Sequence, residues 1–134
     1  IKVDLSSGQI FKVLVVEDNK INQTITKKII EKNNCSCFIV DDGFQALDVL
    51  EKDVFDVILM DINMPLMSGF ETTRKIRLKG IQTPIIALTA FAKDEITEEA
   101  IDAGMNDIII KPFESLKLFQ VINNQIKKAK NAVN

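Results

Sequence analysis

The hydrophobic positions of this chain form short unbroken runs, separated by longer segments where they recur at helical spacing. The runs are Lys12-Val13-Leu14-Val15-Val16, Cys35 to Val40, Val57 to Met60, Ile85-Ile86-Ala87-Leu88 and Ile108-Ile109-Ile110. Runs this short, rich in Val and Ile and bounded by turn residues, predict strands buried on both faces. The segments between and after them predict helices. The first spans about Lys20 to Asn33 with Asn19 as its cap, and turns Ile25 and Ile29 inward, with Ile21 at the edge and lysines opposite. Asp42 is positioned to cap a second helix that carries Phe44, Leu47 and Leu50 at helical spacing, and Ser68-Gly69 opens a third with Phe70, Thr73 and Ile76 inward. A fourth, about Lys93 to Ala103, has a weak apolar face of Ile96, Ala100 and Ala103 and stops at Gly104. The last places Leu116, Phe119, Ile122 and Ile126 on one stripe.

A strand-helix pair repeated along the whole chain predicts an α/β fold, a parallel sheet covered on both faces. The length of 134 residues fits one domain, expected over 11–130, with 131–134 as a tail. The chain does not begin with Met and Ser6-Ser7-Gly8 reads as linker, so residues 1–10 are expected to link to a longer chain. A net charge of -2 gives no electrostatic case for nucleic acid or an anionic membrane. No apolar run approaches the roughly 20 residues of a spanning helix, and no signal peptide is visible. The absence of His excludes His-based acid–base catalysis and His metal ligation. Cys35 and Cys37, two residues apart in a strand, share a face and are too constrained to bond to each other. They read as small apolar residues in a reducing compartment, with metal or redox use as the alternative, and the localisation expected is cytoplasmic.

In such a sheet the strands run in one direction and ligands bind beyond their carboxyl ends. The residues there are Glu17 and Asp18, Asp61, Thr89 and Lys111, far apart in the sequence but gathered at one rim. Asp41 and Asp42 end the second strand; at a sheet edge they would stand too far out to join, and cap or turn duty is expected. Carboxylates crowded into one pocket repel, and a divalent cation removes the conflict. Oxygen-only ligands favour Mg²⁺, with Asp18 and Asp61 as direct ligands and Glu17 acting directly or through water. Asp61 is then a nucleophile for phosphorus, Lys111 a counter-charge to phosphoryl oxygens, and the Thr89 hydroxyl a hydrogen-bond donor to them. Each residue alone is ordinary, since aspartates form turns and threonines end strands. Their joint placement at successive strand ends is what points to phosphoryl chemistry.

Val15-Val16-Glu17-Asp18-Asn19, Leu59-Met60-Asp61-Ile62-Asn63-Met64-Pro65, Leu88-Thr89-Ala90 and Lys111-Pro112-Phe113 resemble, in order and spacing, the receiver domain of two-component response regulators. The resemblance covers about Phe11 to Lys128. It implies a flavodoxin-like doubly wound sheet of order 2-1-3-4-5, Asp61 as phosphoacceptor, Glu17 and Asp18 as the acidic pair, and the main-chain carbonyl of Asn63 as a further Mg²⁺ ligand. Thr89 becomes the switch hydroxyl, Lys111 the phosphate-pairing lysine, and the Lys111-Pro112 bond is expected to be cis. Asp18-Asn19-Lys20-Ile21-Asn22-Gln23 resembles receivers attached to hybrid histidine kinases, in some cases parts of membrane-bound proteins. That implies a multistep phosphorelay, with a histidine phosphotransfer protein or a histidine kinase domain as partner and no nucleic-acid or membrane contact by this domain. The chain is then expected to phosphorylate and slowly dephosphorylate its own Asp61 without turning over a free substrate.

Two positions depart from the family pattern. Ile108 stands where members with an aromatic switch carry Tyr or Phe, and Phe91, bulky, lies two residues past Thr89, where it reads either as a restriction on hydrolytic water or as an exposed loop aromatic or partner contact. Ile21 reads either as core packing or as a partner-docking residue. Two other classes fit the sequence less well. A haloacid dehalogenase-like phosphohydrolase wants two aspartates one residue apart, which Asp61-Ile62-Asn63 breaks. A flavin module wants a phosphate loop where Glu17-Asp18 stands.

Overall fold

Strands and helices alternate throughout the described residues, 11–132, of this computed structural model. In chain order they are β1 (Lys12–Val16), α1 (Lys20–Lys32), β2 (Ser36–Val40), α2 (Gly43–Lys52), β3 (Val57–Asp61), α3 (Gly69–Leu78), β4 (Ile85–Thr89), α4 (Lys93–Ala103), β5 (Asp107–Ile110) and α5 (Ser115–Ala132). The strands form one parallel sheet of order β2-β1-β3-β4-β5, the flavodoxin-like order expected. The expected linker over 1–10 lies outside the described residues, as do 133–134. Among the described residues no helix is long and apolar enough to cross a membrane.

Strand alternation splits the core in two. Leu14, Val16, Ile58, Met60, Ile85 and Ala87 face α2, α3 and α4, while Val13, Val15, Leu59, Ile86 and Leu88 face α1 and α5. The register pairs Val16 with Met60, Asp61 with Leu88 and Thr89 with Ile110, so the strand ends form one rim. Asn19, Asp42 and Ser68 cap α1, α2 and α3 through their side chains, and Gly104 ends α4 at a φ of 105°. Cys35 and Cys37 are free, and burial pushes the Cys37 thiol up to about 11, a value that keeps it un-ionised and inert.

Three helix faces differ from the periodicity reading. α1 buries Gln23, Thr26 and Ile30, whereas Ile21 is 71% exposed and Ile25 50%; Ile29 packs only at the margin. The helix is turned so that the Gln23 amide reaches polar partners near the rim. That placement excludes core packing for Ile21. In α2, Phe44 points outward and Gly43, Ala46 and Leu50 face in. α2 comes so close to Thr72 and Met67 at Gly43 that a Cβ there would collide with the Thr72 hydroxyl, which leaves no room for a phenyl ring. In α5, Leu118 joins Phe119, Ile122 and Ile126 on the stripe, and Leu116 in the first turn lies off that face and is exposed.

Candidate functional site

Glu17 follows β1 directly, and its N–H donates to the Val40 carbonyl (3.1 Å), which fixes it against β2. Its carboxylate is buried. Oε1 accepts from Lys111 Nζ at 2.9 Å and Oε2 from the Asn19 N–H at 3.2 Å. Asp18 is exposed beside it. Asp61 is the last residue of β3, buried, with Oδ1 3.4 Å from the same Lys111 ammonium. One oxygen from each of Glu17, Asp18 and Asp61 lies within 4.8 Å of the others.

That crowding has an electrostatic consequence. Burial, then the neighbouring Glu17 charge, push the Asp61 carboxyl up to about 7, against the opposing pull of Lys111. Lys111 balances part of the acidic charge and no more. The donor set is all oxygen, with two carboxylates already clamped by one lysine and a third open to solvent. It fits a hard divalent cation such as Mg²⁺, which keeps several waters and takes few carboxylates.

A cavity of about 310 Å³ opens at this point, lined by the three acids together with Asn63, Thr89 and Lys111. All the residues read from the strand ends therefore meet in one place. Thr89 is buried, and its Oγ1 accepts the Phe91 N–H at 3.0 Å. The Lys111 N–H donates to the Thr89 carbonyl (2.7 Å), so β4 and β5 present the hydroxyl and the ammonium together. The Lys111-Pro112 bond is cis, as the resemblance implied. Phe91 is 40% exposed and stands outside the cavity lining. Ile108 is buried in the core half beneath α4, and Ile21 sits in the first exposed turn of α1. Asp41 does not join the acids; it pairs with Lys20 at 2.8 Å. A larger cavity, about 710 Å³ and lined by Phe55, Asp56, Pro84 and Gln125 among others, lies at the opposite ends of the strands.

Two supporting residues escaped the sequence reading. Gly69, read there only as a helix opener, packs against the main chain of Asp61: its N–H donates to the Ile62 carbonyl (2.9 Å), and a Cβ would collide with the Asp61 carbonyl oxygen. Gln23 is buried against the main chain of Glu17. Its one sequence signal was membership of the motif after Asp18.

Comparison with known proteins agrees with this geometry. The family model of the response regulator receiver domain matches residues 13–123. A hybrid signal transduction histidine kinase of Dictyostelium discoideum is 39% identical over 137 residues, which is 94% of this chain and 8% of that protein. An autoinducer 2 sensor kinase/phosphatase of Vibrio vulnificus is 46% identical over 113 residues, 83% of this chain and 13% of the relative. The chain thus spans about a tenth of the length of these kinases. Among solved structures, the receiver domain of a Pseudomonas aeruginosa sensor histidine kinase superposes with a TM-score of 0.81 at 37% identity, covering 89% of this chain and 99% of that one. That structure holds a magnesium ion in its active site cleft.

Proposed function

We propose that this chain, which belongs to the response regulator receiver family of two-component signalling, takes a phosphoryl group onto Asp61 from a phosphohistidine of a partner. An Asp61 carboxylate oxygen forms a bond to phosphorus while the phosphorus–nitrogen bond of the donor breaks, its electron pair returning to the imidazole nitrogen. The product is an acyl phosphate that can be passed on or read as a conformational signal. Mg²⁺ held by Glu17, Asp18, Asp61 and the Asn63 main-chain carbonyl would neutralise phosphoryl charge; the ion in the Pseudomonas cleft supports this assignment.

The chain's own groups do the rest. Lys111, 3.4 Å from Asp61, favours the ionised carboxylate that attack requires, and Glu17 at 2.9 Å keeps the ammonium over the site. The Thr89 hydroxyl can donate to a phosphoryl oxygen while its own oxygen still accepts the Phe91 N–H. With Ile108 in place of an aromatic, Thr89 has no ring at that position to couple to, so the conformational readout differs from that of members with an aromatic switch.

Relatives that are large histidine kinases support a hybrid kinase as parent chain and a kinase domain or phosphotransfer protein as partner. The exposed Ile21 is assigned to docking it. Free cysteines fit a cytoplasmic location. Phe91 is assigned to slowing hydrolysis; Phe91→Ala is expected to shorten the phosphoaspartate lifetime, and an equal lifetime removes the role.

The observation that carries the proposal is the convergence of Glu17, Asp18 and Asp61 within 4.8 Å beneath one lysine. Incubation with Mg²⁺ and acetyl phosphate should add a single phosphoryl mass that is absent from Asp61→Asn. No mass gain with any phosphodonor would reject it.

A further inference from the structure

Gln23 is a buried polar side chain beside the site that takes no part in the phosphoryl chemistry. It lies on the face of α1 turned toward the sheet and is 9% exposed. Such a face ordinarily carries apolar residues, and a buried amide is costly unless its groups are paired. Gln23 Nε2 donates to the Glu17 carbonyl oxygen at 2.5 Å and to Asp41 Oδ1 at 2.7 Å. Asp41 is itself anchored, accepting from Lys20 Nζ at 2.8 Å and donating its N–H to Gln45 Oε1 at 2.9 Å.

Glu17 is consequently held at every polar group. Its N–H goes to β2, its carbonyl to Gln23, and its two carboxylate oxygens to Lys111 and to the Asn19 N–H. Asp18 is the opposite case: it is exposed, and its carboxylate makes no hydrogen bond among the described residues. The direction in which the Asp18 side chain leaves the backbone is therefore set by the main chain of Glu17 before it and Asn19 after it. Asn19 is fixed as the cap of α1, its Oδ1 accepting the Asn22 N–H at 3.0 Å. The Glu17 carbonyl is fixed by Gln23.

We infer that Gln23 is a positioning residue for the cation site: by tying the Glu17 carbonyl to Asp41, it sets where Asp18 stands relative to Asp61. The inference rests on the reading of these acids as a Mg²⁺ site. It gives the polar turn after Asp18 a physical purpose, since an amide with two hydrogens can donate to a carbonyl and a carboxylate at once. Asp41, excluded from the acidic cluster, acts on it at one remove.

The test is Mg²⁺ titration of the unphosphorylated chain by calorimetry, with the parent, Gln23→Leu, Asp41→Ala and the double variant. Gln23→Leu keeps the bulk and removes both donors. It is expected to weaken Mg²⁺ binding about tenfold, the range seen when the hydrogen bonds behind metal ligands are removed. Amide hydrogen exchange at Asp18 and Asn19 should quicken, while the phosphorylation rate at saturating Mg²⁺ stays at the parent value. Asp41→Ala should weaken binding less, and the double variant should lose less than the two singles together. Parent-like Mg²⁺ affinity in a folded Gln23→Leu overturns the inference, and strictly additive losses overturn the part assigned to Asp41. If Gln23→Leu does not fold, Gln23→Glu takes its place: a carboxylate facing the Glu17 carbonyl and Asp41 should weaken binding at least as much, and unchanged affinity counts against the inference. A parent that binds Mg²⁺ but never gains phosphoryl mass would sink the proposed phosphoryl transfer and leave this inference standing; the reverse pattern would sink the inference together with the Mg²⁺ assignment and leave Asp61 as the acceptor.

Discussion

Helices α1 and α4 both begin at the active rim, and they are dressed in opposite ways. α1 turns Gln23 and Thr26 inward with Ile30 and leaves Ile21 and Ile25 in solvent. α4 buries Ile96, Ala100 and Ala103 and exposes Asp94, Glu95, Glu98, Glu99 and Asp102. Their starts differ too. The Asn19 side chain caps α1, whereas Ala92 at the head of α4 offers no side-chain bond. The acids late in α4 also oppose the helix dipole, and Arg74 reaches only to 3.8 Å from Glu99 and 3.9 Å from Asp102. α1 is thus fixed by directional bonds to the site and keeps its apolar surface for other uses. α4 is held instead by the packing of Ile96, Ala100 and Ala103.

The contrast can be broken at several points. Within α1, identical substitutions should differ most: Ile30→Ala removes a fully buried side chain and is expected to cost about 3 kcal/mol in urea unfolding. Ile25→Ala should stay within about 0.5 kcal/mol, as surface changes do. Equal costs would mean that α1 packs as its periodicity, and not its position, dictates.

The rim between the helices carries the next effect. The Asp61 carboxyl titrates near 7 in the fold, above its ordinary 3.8, so the folded chain binds the extra proton between those values. The cation-free protein should therefore lose stability as pH rises from about 4 to about 7 and level off above that. Asp61→Asn should remove this slope and gain on the order of 2 kcal/mol at pH 8, solvent screening allowed for. Parallel pH profiles for parent and variant would refute the assignment of the slope to this group.

The caps come third. Asn19→Ala should destabilise by about 1 kcal/mol and Ala92→Ser should stabilise by up to that amount, because only the first helix has a cap to lose. Smallest in stability, and sharpest in function, is Ile21→Ala. It should leave unfolding and acetyl phosphate labelling unchanged but slow transfer from a phosphorylated partner; an unchanged transfer rate would remove Ile21 from the docking surface.

The two helices also show what the sequence could and could not disclose. α4 was legible because the residues it buries, Ile96, Ala100 and Ala103, are apolar and lie at helical spacing, although Ile101 stays exposed. The strands were legible from their unbroken apolar runs, and since their ends bear the chemistry, Glu17, Asp18, Asp61, Thr89 and Lys111 could be gathered from the sequence alone. α1 was not legible, because burial of Gln23 depends on a carbonyl six residues back and a carboxylate eighteen residues on, neither of which periodicity records. Phe44 was misplaced for a related reason: the close approach of α2 to Thr72 is a property of two helices, not of one. The exposure of Phe91 depends on the path of an irregular loop, where spacing carries no information.

Gly69 carries a last consequence, for how this domain tolerates change. Its φ is ordinary, yet its missing Cβ is the space that the Asp61 carbonyl oxygen occupies. In a library scored by signalling, every side chain at Gly69 should be depleted as severely as changes at Asp61. The two kinds of failure would be indistinguishable by survival alone, one from loss of the reacting carboxylate and the other from displacement of the main chain that carries it. Abundance measured alongside signalling separates them, because Asp61→Asn should accumulate normally and Gly69→Ala should not.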